Sequence, residues 1–324
     1  MAGTFGEHVR AALKAREMSI RGAARALNYD HAVLSRTLNG KQPPSARLAE
    51  SLDKLLSADG TITALASSLM ADEEDRIRYA VARPTRLDGK AVAALADVLA
   101  AQRRLDDAIG AVPMIGPTET QLPIITAMLK EARGPHRDAL CHVVAEYVQF
   151  AGWLHASARN DVEAVVRLND ALELADEADS GPLAAQALNF KAYVARQQRR
   201  PRTYARWFEA AYRTPGAHAT QRMGDAAQAA HGYAEVGQRD EARRLLDEAA
   251  NLADAAADQP PETAYWLTPN FQRFSLGLAH MGLREYRDAA DHFRAGLAGL
   301  PAEQQGADWS REYRTALAAA EAAA

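Results

Sequence analysis

Residues 19–44, SIRGAARALNYDHAVLSRTLNGKQPP, leave this chain little choice of local fold. Ser19 is placed to accept hydrogen bonds from the free N–H groups that open a helix. Ala23, Ala24 and Leu27 then fall on one face of that helix and can bury against a partner. Asn28-Tyr29-Asp30 makes the turn, with Asp30 as the cap of a second helix. In the second helix Val33, Leu34 and Leu38 point inward, and His31, Ala32, Ser35, Arg36 and Asn39 point outward. Gly40 supplies the left-handed residue that ends it. Two short helices joined by three residues, the second with a small and basic outer face, describe a helix-turn-helix.

The stretch resembles the DNA-binding domain of the lambda-repressor/Cro-like (XRE) family. The family pattern is a Ser-capped helix with a small-residue pair, a Ser-Arg in the recognition helix, then Gly-Lys-x-x-Pro. Here these are Ser19, Ala23-Ala24, Ser35-Arg36 and Gly40-Lys41-Gln42-Pro43-Pro44. Two positions depart from it. Ile20 stands where the family often has a phosphate-touching Gln, and Leu38 where it often has Glu. The resemblance implies double-stranded DNA as a partner. His31, Ala32, Ser35 and Arg36 are then expected at base edges, with Arg36 able to fork onto a guanine's O6 and N7. Ser19, Arg21, Asn39 and Lys41 are expected at phosphates.

At 324 residues the chain is far longer than the roughly 60 that such a module needs, so a second domain is expected. Charge is divided accordingly. Residues 1–56 carry nine basic and five acidic side chains, a balance of +4, whereas the whole chain is −4, leaving −8 on the rest. A basic head on an acidic body suits a protein that neutralises phosphates at one end. Of the 38 basic residues 32 are arginine, a bias that GC-rich coding produces, as in actinobacteria. The single Cys141 allows no disulfide within the chain and no cysteine metal cluster, and its apolar helix face predicts a plain buried thiol. The first residues lack the apolar run of a signal peptide, and the most apolar window, Ala91 to Ala101, is too short to span a bilayer. A cytoplasmic protein without membrane contact is expected.

Helical patterning runs through the whole chain. Helices are expected over Thr4 to Glu17, Ser45 to Leu56, Thr61 to Ala82 and Ala91 to Ile109. Pro84 disfavours helix at Arg83, which places a linker near 82–89. Val112-Pro-Met-Ile-Gly-Pro117 reads as a second break. These boundaries give a helix-turn-helix domain at 1–57, connecting helices and linker at 58–112, and a repeat domain at 113–324.

From about Arg137 the sequence repeats itself. Ala164, Leu168 and Ala171 recur as Tyr204, Phe208 and Ala211, as Ala242, Leu246 and Ala249, and as Ala289, Phe293 and Gly296, at intervals of 40, 38 and 47 residues. Small residues let one helix lie close on its partner while the bulky one fills the gap. Gly237-Gln-Arg-Asp-Glu-Ala242, with Tyr233 four residues before the glycine, is similar to the tetratricopeptide (TPR) repeat, although the period exceeds the usual value of about 34. The fold class expected is therefore all-α: a helix-turn-helix followed by a TPR-like right-handed α-solenoid. The first helix of each pair would line its inner face, where Trp153, Asn189, Tyr193, His231, Trp266 and Asn270 are candidate ligand-groove residues.

Nothing points to chemistry. His136, His142 and His155 lack metal-ligand spacing, and there is no Gly-x-Ser-x-Gly and no phosphate-cradling loop after a strand. No enzyme activity, metal or cofactor is expected. Arg199-Arg200-Pro201-Arg202 reads as a solvated loop or a dock for an acidic partner. A DNA-binding head on TPR-like repeats resembles the RRNPP class of bacterial regulators. That resemblance implies a regulator responding to a short signalling peptide. A homodimer is expected because one head buries too little DNA to find an operator and helix-turn-helix proteins usually pair to read two half-sites. A small-molecule effector near Trp153 or Trp266, and a scaffold that holds a protein partner, stay open as alternatives.

Overall fold

Every helix in the first 56 residues begins at a side chain that takes up its free N–H groups. The computed structural model describes residues 4–40, 44–257 and 265–324, apart from the side chains of 68–74 and 303. Helix α1 (Phe5–Ala15) opens with a reciprocal capping box between Thr4 and Glu7. Ser19 caps α2 (Ile20–Leu27) and Asp30 caps α3 (His31–Leu38). Ser45 caps α4 (Ala46–Leu56). Asn28 ends α2 in the left-handed region, as Gly40 does after α3. Phe5, Val9, Leu13, Ala23, Ala24, Leu34, Leu38, Leu48 and Leu52 form one core. Thr37, not anticipated from the sequence, is buried with them, its hydroxyl donating to the Val33 carbonyl at 3.0 Å. Helix α5 (Thr61–Ala82) packs on α4 and α1. The buried Asp53 carboxylate ties its start by accepting from the N–H groups of Gly60 and Thr63 at 2.8 and 2.9 Å.

Packing separates Met1–Ala82 from Arg83–Ala324. The second unit opens with α6 (Gly89–Ile109) and α7 (Ala111–Glu131). Four antiparallel pairs follow: α8 (Arg137–Ser157) with α9 (Asp161–Glu177), α10 (Gly181–Gln197) with α11 (Pro201–Arg213), α12 (Ala219–Glu235) with α13 (Arg239–Asn251), and α14 (Pro269–Leu283) with α15 (Tyr286–Ala298). Helix α16 (Ser310–Ala323) covers the last pair. The described residues contain no strand, and the fold is all-α, a helix-turn-helix followed by TPR-like helical repeats.

The four pairs share one turn. Arg159, Arg199, Gly237 and Arg284 all have positive φ, at 40-, 38- and 47-residue intervals. The N–H one residue on reaches back five residues in each case: Asn160 to His155, Arg200 to Ala195, Gln238 to Tyr233 and Glu285 to His280, at 2.8–3.1 Å. This is the Schellman closure of a helix. Seven residues before each left-handed position stands a small residue (Gly152, Ala192, Ala230, Gly277), and nine after it a bulky one (Leu168, Phe208, Leu246, Phe293). A Cβ at Gly277 would come within 2.6 Å of the Phe293 ring, and one at Gly152 within 2.7 Å of Leu168. In the third pair it is Leu245 that is fully buried; Leu246 is only half-buried, so the sequence pattern is off by one there.

The break expected over Val112 to Pro117 does not exist. The chain turns earlier, at Gly110 (φ 83°), and α7 runs unbroken through Pro113, Pro117 and Pro123. Pro113 lies in the first turn, where no N–H partner is needed. The other two are exposed, while Met114, Thr118, Leu122, Ile125 and Leu129 form a buried stripe. That burial outweighs the lost backbone bonds, which cost about 3 kcal/mol per interior proline.

Candidate functional site

Two sites, one in each unit, gather polar and aromatic side chains. In the head, the Asp30 carboxylate accepts from the Ala32 and Val33 N–H groups at 2.6 and 3.1 Å and fixes where α3 begins. From that start Leu34, Thr37 and Leu38 turn inward; His31 and Ala32 are exposed and Ser35 and Arg36 half-exposed. The end of α3 is held by α1: a Cβ at Gly6 would lie 2.0 Å from the Leu38 carbonyl oxygen, so α1 rests directly on it. Ser19 and Arg21 are exposed at the start of α2, with Ser19 Oγ accepting from Gly22 N–H at 3.0 Å. Asn39 is exposed but engaged, its Oδ1 accepting from Arg10 and its Nδ2 3.5 Å from Ser35 Oγ. Lys41 lies outside the described residues.

In the second unit the first helices of the pairs line a cavity that nine of the chain's 21 aromatic side chains help to form. Trp153 (α8) sits against Phe190 and Tyr193 (α10), ring centroids 5.1 and 5.3 Å apart. Tyr265 and Trp266 precede α14, and Trp309 and Tyr313 come from the segment entering α16. The Trp309 ring lies 5.4 Å from Phe271. Helix α6 crosses this wall. Asp106 accepts from Trp153 Nε1 at 2.8 Å. Asp107 accepts from Trp309 Nε1 at 3.1 Å, from Gln304 Nε2 at 3.2 Å and from the Tyr265 hydroxyl. Burial pushes the Asp106 carboxyl up to about 6. Arg103, also on α6, pairs with Glu146 at 2.9 Å and stands over the Trp266 ring; Arg196 on α10 pairs with Glu312.

Beneath the aromatics lies an amide layer. Gln186 (α10), Gln221 and Gln228 (α12) and Gln272 (α14) are all buried and line the cavity. Gly224 makes room for them, since a Cβ there would overlap the Gln272 amide. Asn189 donates to the fully buried Asp225 at 2.5 Å. Burial raises the Asp225 carboxyl to about 8, so it is neutral at pH 7.

Of the six groove residues expected from sequence, Trp153, Asn189, Tyr193 and Trp266 line this cavity. Trp266 does so from the turn before α14, not from a helix. His231 and Asn270 do not line it. His231 lies tilted against Tyr204, ring centroids 5.5 Å apart, and pairs with Glu235, and Asn270 donates to the Gly296 carbonyl at 3.3 Å, tying α14 to α15. Both were placed on the inner face because the first-helix assignment alone does not say which side of the helix faces inward. The glutamines, Asp106, Asp107 and Trp309 were missed. Only the seven-residue spacing of Gln221 and Gln228 signalled a shared face, and α6 and α16 fall outside the repeats.

Elsewhere among the described residues two sets of side chains converge closely enough to share an ion: Glu119, His155 and Glu163, and His280, Glu285 and Asp288. In the first, Arg167 already donates to both oxygens of Glu119 at 3.0 and 2.6 Å and lies 3.1 Å from Glu163. In the second, Glu285 is bound by His280 and Arg243. Cys141 is buried, its Sγ 3.8 Å from the Leu174 carbonyl, and burial raises its pKa. No helix among the described residues is long and apolar enough to cross a membrane.

Comparison with known proteins bears mainly on the head. Residues 4–66 match a helix-turn-helix domain family. No curated protein matches the chain. Among solved structures, PlcR of Bacillus thuringiensis in complex with the peptide PapR7 and DNA is similar over 99% of both chains, at 9% identity and a TM-score of 0.39. That likeness is too distant to bear on this chain's activity.

Proposed function

We propose that the protein is a sequence-specific DNA-binding transcriptional regulator whose repeat unit holds an effector in the aromatic cavity. The observation that carries the DNA reading is the α3 face, where a polar surface around Ser35 and Arg36 stands on a helix-turn-helix packed from behind. His31, Ala32, Ser35 and Arg36 are the base-reading set, and Ser19, Arg21, Asn39 and Lys41 the phosphate set. Selection of bound sequences from a random DNA pool, followed by titration of the selected site, tests this. Arg36→Ala should cost about 1–3 kcal/mol and relax one base position, while Lys41→Ala should weaken all sequences alike. Parent-like affinity in both variants removes the DNA reading.

The protein acts on DNA as a homodimer in this reading. Support comes from α6, where Val98, Leu105 and Ile109 are 38, 45 and 50% exposed at intervals of seven and four residues. That is the spacing by which a helix pairs with a copy of itself. Leu105→Glu should then turn a dimer into a monomer in light scattering; a monomeric parent at micromolar concentration, with and without DNA, excludes it.

For the effector, a short peptide is the reading that the repeat architecture resembles, and the unpartnered amides of the cavity suit a peptide backbone. A second reading, a small molecule, is favoured by the way Asp106 and Asp107 tie α6 across the aromatic wall. Culture extracts added during the DNA titration separate the two. A change lost on protease treatment supports the peptide; one that survives protease and disappears in Trp153→Ala or Trp266→Ala supports the small molecule. An effector acts only through a difference in affinity for the DNA-competent and incompetent states, so no response to any extract overturns the sensor reading.

A further inference from the structure

The cavity wall sorts its hydrogen-bonding capacity by charge. Its ionic groups are met from within the protein: Arg103 by Glu146, Arg196 by Glu312, Asp106 by Trp153, and Asp107 by three donors. Not all of its neutral amides are. Gln186 Oε1 and Gln228 Oε1 are buried without a partner, on side chains 6 and 9% exposed, and the buried Gln221 amide has only the Asp225 carboxyl beside it. Natural interiors leave few polar atoms in this state. Two in one wall, on two neighbouring helices, mark a place where something else supplies the bonds. An amide side chain can turn end for end, so the set offers donors and acceptors together.

The space is as selective as the chemistry. With α6 tied across it, the cavity has a volume of ≈ 110 Å³, room for about seven to eleven waters at roughly 10–15 Å³ each. An extended chain advances about 3.3–3.6 Å per residue, so only a short run of it fits such a volume. A free linear peptide also brings two terminal charges to a wall whose own charges are already answered. The remaining surface is ring-shaped: three of the chain's four tryptophans, Trp153, Trp266 and Trp309, border the amides, and flat or cyclic molecules stack on such faces.

We propose that this cavity binds a compact, uncharged cyclic amide, a ring carrying N–H and C=O groups on one edge and an apolar body on the other. Lactams, cyclic imides and cyclic dipeptides are of this kind. The proposal rests on the reading of the cavity as the effector site and narrows it to one ligand chemistry.

The test uses the full-length protein and reads tryptophan emission and thermal shift, because three tryptophans border the site. The probes are cyclo(Phe-Pro), 2-pyridone and glutarimide, against linear Phe-Pro, which carries the same side chains with two charged ends, and indole, which has the ring without the amide edge. At least one cyclic amide should give saturable quenching below about 10 mM, the range expected of fragments this small. Linear Phe-Pro should bind at least about tenfold more weakly. Gln221→Leu and, from a different helix, Gln186→Met should each weaken the cyclic amide by about tenfold or more and leave indole unchanged. Retained indole binding shows that the variant cavity is still formed.

Silence of all three cyclic amides at about 10 mM overturns the proposal, as does equal or tighter binding of linear Phe-Pro. So does a loss of cyclic amide and indole together in both glutamine variants. Cyclic amide binding with unchanged DNA affinity leaves the ligand chemistry standing and removes the effector reading. Protease-sensitive regulation with no cyclic amide binding does the reverse.

Discussion

The head and the repeat unit solve the same problem, how to start a helix, in opposite ways. In the head, α1 to α4 each begin at a side chain that accepts from the helix N–H groups: Thr4, Ser19, Asp30 and Ser45. In the repeats, α9, α11, α13 and α15, the second helices of the pairs, have no such bond. Each of these follows a left-handed turn that closes the preceding helix, a closure the head also uses after α1, α2 and α4 but there adds to the caps. The head is written in short-range chemistry, and the repeats in packing across a hairpin. It follows that the two should respond differently to the same kinds of substitution.

The largest effect expected is on packing. Phe293 is fully buried against Gly277, and Phe293→Ala should lower the stability of the repeat unit by about 3–5 kcal/mol. Circular dichroism melting should show the early loss of most helix signal. DNA affinity measured well below that transition should match the parent. If DNA binding falls in parallel, the two units are not separate in the way their packing indicates.

A pH comparison comes next, because the two units bury a carboxylate for opposite reasons. In the head, Asp53 is held below its usual range, first by the Thr63 N–H that donates to it. It stabilises when ionised, and that contribution is lost as pH falls through its folded value. In the repeats, burial raises Asp225 to about 8. Its folded form keeps a proton that the unfolded chain releases near pH 4, so stability declines as pH rises from about 4 to 8. Asp225→Asn keeps an oxygen to accept from Asn189 and removes that decline. Its gain over the parent should grow by up to about 1.4 kcal/mol per pH unit across that window and level off above it. A gain that is flat with pH would mean that Asp225 is ionised in the fold.

The cap of α3 is worth less. Asp30→Ala removes the acceptor for two N–H groups of α3 and should cost the head about 1–2 kcal/mol. The repeat transition should not move. Chemical denaturation followed by DNA binding for the head, and by tryptophan emission for the repeats, reads both at once, since all four tryptophans lie beyond residue 150. Equal shifts in the two readouts would break the contrast.

That contrast also explains what could be read from the sequence. Ser19, Asn28, Asp30, Gly40 and Ser45 each do what their residue type does locally, and the helix-turn-helix emerged almost residue for residue. The repeat period of 40, 38 and 47 was legible because small and bulky residues must alternate wherever two helices touch. The cavity was legible only in part. Of the residues expected in a groove, Trp153, Asn189, Tyr193 and Trp266 line the cavity and His231 and Asn270 do not, and the glutamine layer is not among them. A buried glutamine carries no sequence mark that separates it from a solvated one; only the tertiary fold decides. The prolines of α7 misled for the same reason, since their local cost was visible and the buried stripe opposite them was not.

The smallest effect probes the turns themselves. Of the four equivalent left-handed positions only Gly237 advertises its conformation; Arg159, Arg199 and Arg284 adopt it at positive φ with a side chain present. A non-glycine residue there carries a cost on the order of 1 kcal/mol, set against the greater freedom that glycine has when unfolded. Arg284→Gly should therefore be neutral or stabilise by up to about 1 kcal/mol, even though Arg284 lies at the turn of a packed hairpin. Gly237→Ala should destabilise by about 1 kcal/mol, despite open space around the glycine in which a Cβ would meet nothing. Contacts alone predict the reverse order, with the arginine costly to lose and the exposed glycine free to change. Paired denaturant titrations of the two variants would decide. If Arg284→Gly is the more damaging, the arginine side chain and not the backbone closes the turn, and the repeats rely on local chemistry much as the head does.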